Sequence, residues 1–153
     1  MADEFHILLV EDSPADVRII QRALGEGKVA HALTVISDGR KAIDFLEQFL
    51  GADVDRKAMP DLILLDLNLP GLDGCQVLSH IKSNGELRQI PVVMLTTSQQ
   101  EDDILRTYRA GANSYLQKPA EYARYRDMVS AIQTYWQEMS LRPPKEYGHL
   151  TSN

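Results

Sequence analysis

The stretch Leu62-Ile63-Leu64-Leu65-Asp66-Leu67-Asn68-Leu69-Pro70-Gly71-Leu72-Asp73-Gly74-Cys75-Gln76 decides how the rest of the chain is read. Four consecutive aliphatic residues, too few for a helix and bounded by acids, predict a strand buried on both faces. Asp66 ends that run, and Asp73-Gly74-Cys75-Gln76 then carries the spacing of a helix-capping box. Strand, loop and helix in this order form half of a crossover unit, and the same grammar recurs along the chain. Apolar runs from Phe5 to Val10, Ala32 to Ile36, Val92 to Leu95 and Ser114 to Leu116 predict four more strands. Ser13-Pro14-Ala15-Asp16 and Ser98-Gln99-Gln100-Glu101 predict two further helix starts, and Gly25, Gly51, Gly85 and Gly111 mark helix ends. Five β-α repeats need parallel strands joined by right-handed crossovers. The expected fold is therefore α/β: a three-layer, doubly wound, five-stranded parallel sheet with five helices on its two faces.

A chain of 153 residues with 44% hydrophobic and 25% charged residues has the make-up of one globular domain. We expect it to span residues 1–141, with a C-terminal tail over 142–153 opened by Arg142-Pro143-Pro144. A net charge of −6 argues against nucleic acid as a partner. No apolar run approaches the roughly 20 residues that cross a bilayer, so no membrane association is expected. Met1-Ala2-Asp3-Glu4 lacks the basic start of a secretory signal, and the lone Cys75 fits a reducing compartment. Both point to the cytoplasm.

In an open parallel sheet, ligands bind beyond the carboxyl ends of the strands, near the point where strand order reverses. The residues at those ends here are Glu11-Asp12, Asp66-Leu67-Asn68, Thr96-Thr97-Ser98 and Lys118-Pro119. Acids packed at one edge repel unless a cation neutralises them, and an all-oxygen site with open positions suits Mg²⁺ paired with phosphate. A carboxylate can attack phosphorus, and the resulting acyl phosphate needs a metal, a lysine and a hydroxyl or amide donor around it.

Leu9-Val10-Glu11-Asp12-Ser13, Leu65-Asp66-Leu67-Asn68-Leu69-Pro70-Gly71-Leu72-Asp73-Gly74, Leu95-Thr96-Thr97 and Tyr115-Leu116-Gln117-Lys118-Pro119 together resemble the receiver domains of bacterial two-component response regulators. The resemblance covers about residues 5–140. It implies the flavodoxin-like strand order 2-1-3-4-5 and phosphoryl transfer from a sensor histidine kinase to Asp66. Glu11 and Asp12 would be the acidic pair, and Mg²⁺ would be held by Asp12, Asp66 and the backbone carbonyl of Asn68. Lys118 would pair with the phosphoryl group. Thr96 would be the hydroxyl that moves toward it, and Tyr115 the aromatic whose rotamer reports the movement on the face of helix 4, strand 5 and helix 5. Pro119 matches the family's proline after the lysine, often in a cis peptide.

Each residue also has a plainer reading. Glu11 and Asp12 suit the N-terminal dipole of the helix that begins at Ser13. Thr97 competes with Thr96, which is preferred for its place beside Leu95. Tyr115 serves equally as a half-buried aromatic. His6, His31, His80 and His149 show no ligand spacing. A pseudo-receiver that binds proteins without being phosphorylated is the main alternative function. A haloacid-dehalogenase-type phosphohydrolase would carry an aspartate where Asn68 stands, and flavin binding lacks a phosphate loop after the first strand. The expected role is thus a non-enzymatic signalling protein.

Two features exceed a minimal receiver. Phe49 to Pro60 is a long link, expected to be a surface loop. Tyr122, Tyr125, Val129, Ile132, Trp136 and Met139 recur at spacings of three and four, with Met128 and Tyr135 widening the stripe. Part of this seam must pack on the chain's own sheet. The distal part, with Tyr135, Trp136 and Met139, is expected to join a second copy in a homodimer. The long link, the Leu95-Thr96-Thr97-Ser98 run before Glu101-Asp102-Asp103 and the Tyr135-Trp136 ending also resemble stand-alone receivers of bacterial phytochrome kinases, which implies a bacteriophytochrome as phosphodonor.

Overall fold

The computed structural model describes residues 4–145; His149 and the tail beyond Lys145 lie outside the described residues. Five parallel strands, β1 (Phe5–Val10), β2 (His31–Ile36), β3 (Leu62–Leu65), β4 (Val92–Thr96) and β5 (Ser114–Gln117), form one sheet in the order β2-β1-β3-β4-β5. The crossover helices are α1 (Pro14–Glu26), α2 (Gly39–Glu47), α3 (Gly74–Ser83) and α4 (Glu101–Arg109), and α5 (Tyr122–Gln133) closes the fold.

Strand alternation sorts the core into two layers. Leu8, Val10, Ile63, Leu65, Val92 and Met94 face Ile43, Leu46, Val77, Leu78 and Ile81 of α2 and α3. Ile7, Leu9, Leu62, Leu64, Val93 and Leu95 face Ile20 and Leu24 of α1 and Tyr125, Val129 and Ile132 of α5. Burial on both faces explains why the central strands read as unbroken apolar runs.

Caps place most helix starts where local chemistry demands. Ser13 accepts from the Asp16 N–H, and Asp73 and Gln76 close a reciprocal capping box. The start expected at Ser98 moves to Glu101, because the Ser98 hydroxyl donates to Asp103 at 2.6 Å and its carbonyl accepts from Tyr115. The end expected at Gly25 falls later, with Gly27 as the cap.

The long link is surface chain with buried anchors. Phe49 and Met59 enter the core, while Arg56 ties the carbonyls of Phe49 and Gly51 to Glu86. After α5 the chain winds into a π-helical turn, Thr134–Met139, closed by the Ser140 N–H on the Tyr135 carbonyl. That change of winding splits the seam: Tyr125, Val129 and Ile132 are buried and Trp136 packs partly on the same layer, while Tyr135 and Met139 stay 52% and 68% exposed. The start of the tail is held at the base of the sheet, where Arg142 and Lys145 each lie 3.3 Å from the buried Asp61 carboxylate.

Candidate functional site

Because β1, β3, β4 and β5 run parallel, their last residues meet at one edge. Ligand oxygens of Glu11, Asp12 and Asp66 lie within 4.8 Å of one another there, with Glu11 and Asp66 buried and Asp12 exposed. The Lys118 ammonium reaches the cluster from the β5 side. It donates to Oε1 of Glu11 at 2.5 Å, Oδ2 of Asp16 at 3.2 Å and Oδ2 of Asp66 at 3.3 Å. The other Asp66 oxygen accepts from the Asn68 N–H at 3.3 Å, and Ser13 N–H donates to Glu11 at 3.1 Å.

Electrostatics follow from burial. Burial raises the Glu11 carboxyl to about 7 despite its bond to Lys118, and the nearby Asp66 charge adds to the rise. Burial works against the charge of Lys118 too, yet Glu11, Asp66 and Asp16 together hold its ammonium above the ordinary lysine range. The donor set is hard oxygen, partly open to solvent, and rich in negative charge. That chemistry fits a divalent Mg²⁺-type ion better than any softer metal.

The backbone beneath Asp66 is set by Gly74. A Cβ there would stand 2.1 Å from the Asp66 carbonyl oxygen, so only glycine lets the N-terminus of α3 come this close. The Gly74 N–H returns a bond to the Leu67 carbonyl at 2.8 Å, which closes the loop after the acid.

Thr96 is fully buried at the end of β4, and its hydroxyl accepts from Ser98 N–H at 3.3 Å; Thr97 is exposed. Tyr115 sits on the α2–α3 side of β5, and its hydroxyl donates to the Ser98 carbonyl at 3.1 Å. Asn68 is exposed beside Asp66. Described peptide bonds are trans, including the one before Pro119, a position often cis in the family it resembles. Tyr135, Trp136 and Met139 lie away from this edge, since Gln137 in the same turn bonds Ala30 at the opposite end of the sheet. His80 pairs with Glu47 at 3.3 Å, outside the site.

Asp16 was read only as a helix-start acid, yet it belongs to the site. The available signal was its place in the first turn of the helix that follows Glu11-Asp12.

The family model for the response regulator receiver domain matches residues 7–130. The chain belongs to the response regulator receiver family. Among its relatives, this receiver is 43% identical to response regulator Rcp1 of Synechocystis over 147 residues, 94% of this chain and 99% of that protein. It is 42% identical to a probable methanogenesis regulatory protein, FilR2, of Methanothrix harundinacea, over 88% of this chain and 84% of that protein. The solved Mn²⁺-bound form of Rcp1 superposes with a TM-score of 0.83 at 43% identity, covering 92% of this receiver and 99% of that chain. A phosphorylated cyanobacterial phytochrome response regulator, RcpA, gives 0.84 at 41% identity with the same coverage. The sheet order of this receiver is that of its family. No described helix is long and apolar enough to cross a membrane.

Proposed function

We propose that this receiver takes a phosphoryl group onto Asp66 from a sensor histidine kinase, in a Mg²⁺-dependent reaction, and switches a protein-binding face in response. The observation that carries this is the Lys118 ammonium bridging Glu11 and Asp66 at a three-carboxylate edge. A carboxylate oxygen of Asp66 attacks phosphorus while the bond to the donor's leaving group breaks, leaving an acyl phosphate. Lys118 then turns to a phosphoryl oxygen, and the Asn68 N–H and the Thr96 hydroxyl are the neutral donors at hand. Asp12, Asp66 and the Asn68 carbonyl, with Glu11 behind them, would hold Mg²⁺, which supplies charge neutralisation at the phosphoryl oxygens.

Thr96 moving toward the phosphoryl group draws the loop through Ser98, whose carbonyl holds Tyr115. The face of α4, β5 and α5 responds as a two-state surface. Similarity to the phytochrome response regulator RcpA supports a phytochrome-type kinase as donor, and we read the protein as cytoplasmic and as acting through partner proteins instead of enzymatic turnover. The signalling unit is read as residues 1–141, with 142–153 as a tail. Exposed Tyr135 and Met139 beside the half-buried Trp136 support a homodimer through the end of the last helix. The unphosphorylated pseudo-receiver is disfavoured, because it would have no need of Lys118 buried among acids.

Incubation of the wild type and Asp66→Asn with acetyl phosphate, with and without Mg²⁺, tests the reading by intact mass. A phosphoryl adduct on the wild type alone, and only with Mg²⁺, is expected. An adduct on Asp66→Asn would move the acceptor elsewhere, and none on either, with no beryllofluoride binding, would favour the pseudo-receiver.

A further inference from the structure

Behind Lys118, away from the metal side, lies a pair of groups that the phosphoryl reading leaves without a task. Asp16, on the first turn of α1, contacts the Lys118 ammonium at 3.2 Å. Tyr125, on α5, is buried, and its hydroxyl has no hydrogen-bond partner among the described residues. A buried hydroxyl without a partner is costly and asks for an explanation. The Asp16 carboxylate lies beside it, near enough to act on the phenol as an acceptor but outside hydrogen-bond geometry. Burial raises the Tyr125 phenol, and Asp16 is the next contributor. In turn, Tyr125 and Lys118 outweigh burial at Asp16 and hold that carboxyl below its usual range. Asp16, Lys118 and Tyr125 also line one open pocket of about 540 Å³, so Lys118 has room to swing.

We propose that Asp16 and Tyr125 are a positioning pair for Lys118: Asp16 holds the ammonium before phosphoryl transfer, then accepts the Tyr125 hydroxyl once Lys118 turns to the phosphoryl group. The inference rests on Asp66 being the acceptor. Before transfer, the lysine divides its three protons among Glu11, Asp16 and Asp66, which is the full donor capacity of an ammonium. Once Asp66 carries the phosphoryl group, the proton it held passes to a phosphoryl oxygen and draws the ammonium that way, loosening the longer of the two remaining contacts, Asp16 at 3.2 Å against Glu11 at 2.5 Å. Asp16 is the one with a waiting donor, since Tyr125 can replace the lost bond with a charge-assisted one. The exchange links the chemistry to the α1–α5 seam, on the sheet face opposite Tyr115.

The test uses the full chain carrying fluorotyrosine, with the Tyr125 fluorine resonance assigned by its loss in Tyr125→Phe. With Mg²⁺ and acetyl phosphate, the Tyr125 resonance of the phosphorylated fraction, followed by intact mass, is expected to shift in the wild type and to stay in place in Asp16→Asn, whatever that variant's extent of modification. Tyr125→Phe keeps the ring in the seam and should lose about tenfold to a hundredfold of beryllofluoride affinity, the worth of one hydrogen bond to a charged group. Its Mg²⁺ affinity should fall by less. A purely packing role would move neither the resonance nor that ratio. Phosphoryl mass with an equal Tyr125 shift in wild type and Asp16→Asn overturns the pair alone. Beryllofluoride affinity in Tyr125→Phe equal to the wild type does the same. Absence of phosphoryl mass and of beryllofluoride binding in the wild type overturns the acceptor reading and this inference with it.

Discussion

The carboxyl ends of β1 and β3 hold Glu11 and Asp66 at 2% and 7% exposure between two aliphatic layers, whereas at the neighbouring edge β5 is only half-buried and α4 buries a single side chain, Thr107. Leu105 and Tyr108 of α4 lie open to solvent, and three acids fill its first turn. Beyond the β4–β5 ladder, α4 and its loop are tied down through a thin set of polar links. Tyr115 bonds the Ser98 carbonyl, Ser98 bonds Asp103, and Arg106 stands between Asp103 at 3.3 Å and Asp73 at 3.7 Å. Chemistry that needs atoms held in place is thus built on central strands, and the part that must move is attached by bonds worth about 1 kcal/mol each.

Substitutions that probe packing separate the two regions most widely. Leu64→Ala, in the central strand, is expected to destabilise by about 3–4 kcal/mol, and Leu105→Ala, on α4, by less than about 0.5 kcal/mol in urea unfolding. Equal losses would break the contrast. Lys118→Ala strands Glu11 and Asp66 without a cation. It should cost about 3 kcal/mol in the metal-free protein, the low end for a broken buried pair, with part regained on adding Mg²⁺. Stability unchanged by this substitution would mean that water already screens the site.

The pH dependence sharpens the picture of the buried side. Glu11 rises from 4.5 to about 7 on folding, so its protonated form favours the metal-free fold. That contribution is complete below about 4.5 and is lost as pH climbs through 7. Mg²⁺ competes with the same proton, so its affinity should strengthen from pH 6 to pH 8 by up to about tenfold per unit below 7. Titration calorimetry at those pH values would read it, and a flat profile would place Glu11 outside the coupled cluster. A smaller and more local effect belongs to the link itself. Tyr115→Phe removes one hydroxyl bond and should cost about 1 kcal/mol, read as faster hydrogen exchange confined to residues 97–110.

How legible each region was follows the same division. Buried parallel strands leave unbroken apolar runs, so all five strands fall within one residue of their expected limits. Glu11, Asp66 and Lys118 could be placed together because strand ends in such a sheet must converge. Side-chain bonds made outside the backbone pattern were harder to read. Ser98 looked like a helix cap, but its hydroxyl is committed to Asp103. Asp16 looked like a capping acid, and only folding brings α1 against β5 to show its contact with Lys118. Periodicity made one continuous seam of the last helix, yet the π turn after Gln133 separates the buried Tyr125, Val129 and Ile132 from the exposed Tyr135 and Met139. Spacing assumes a constant winding, which this chain does not keep.

Hydrogen exchange by mass spectrometry with Mg²⁺, with and without beryllofluoride, tests the central claim most directly. Exchange should change chiefly in the β4–α4 loop, α4 and β5, residues 97–117, while the peptides of β1 and β3 stay protected to the same degree. Changes spread evenly through the sheet, or absent from 97–117 despite beryllofluoride bound at Asp66, would contradict a rigid site coupled to a loosely held switching edge.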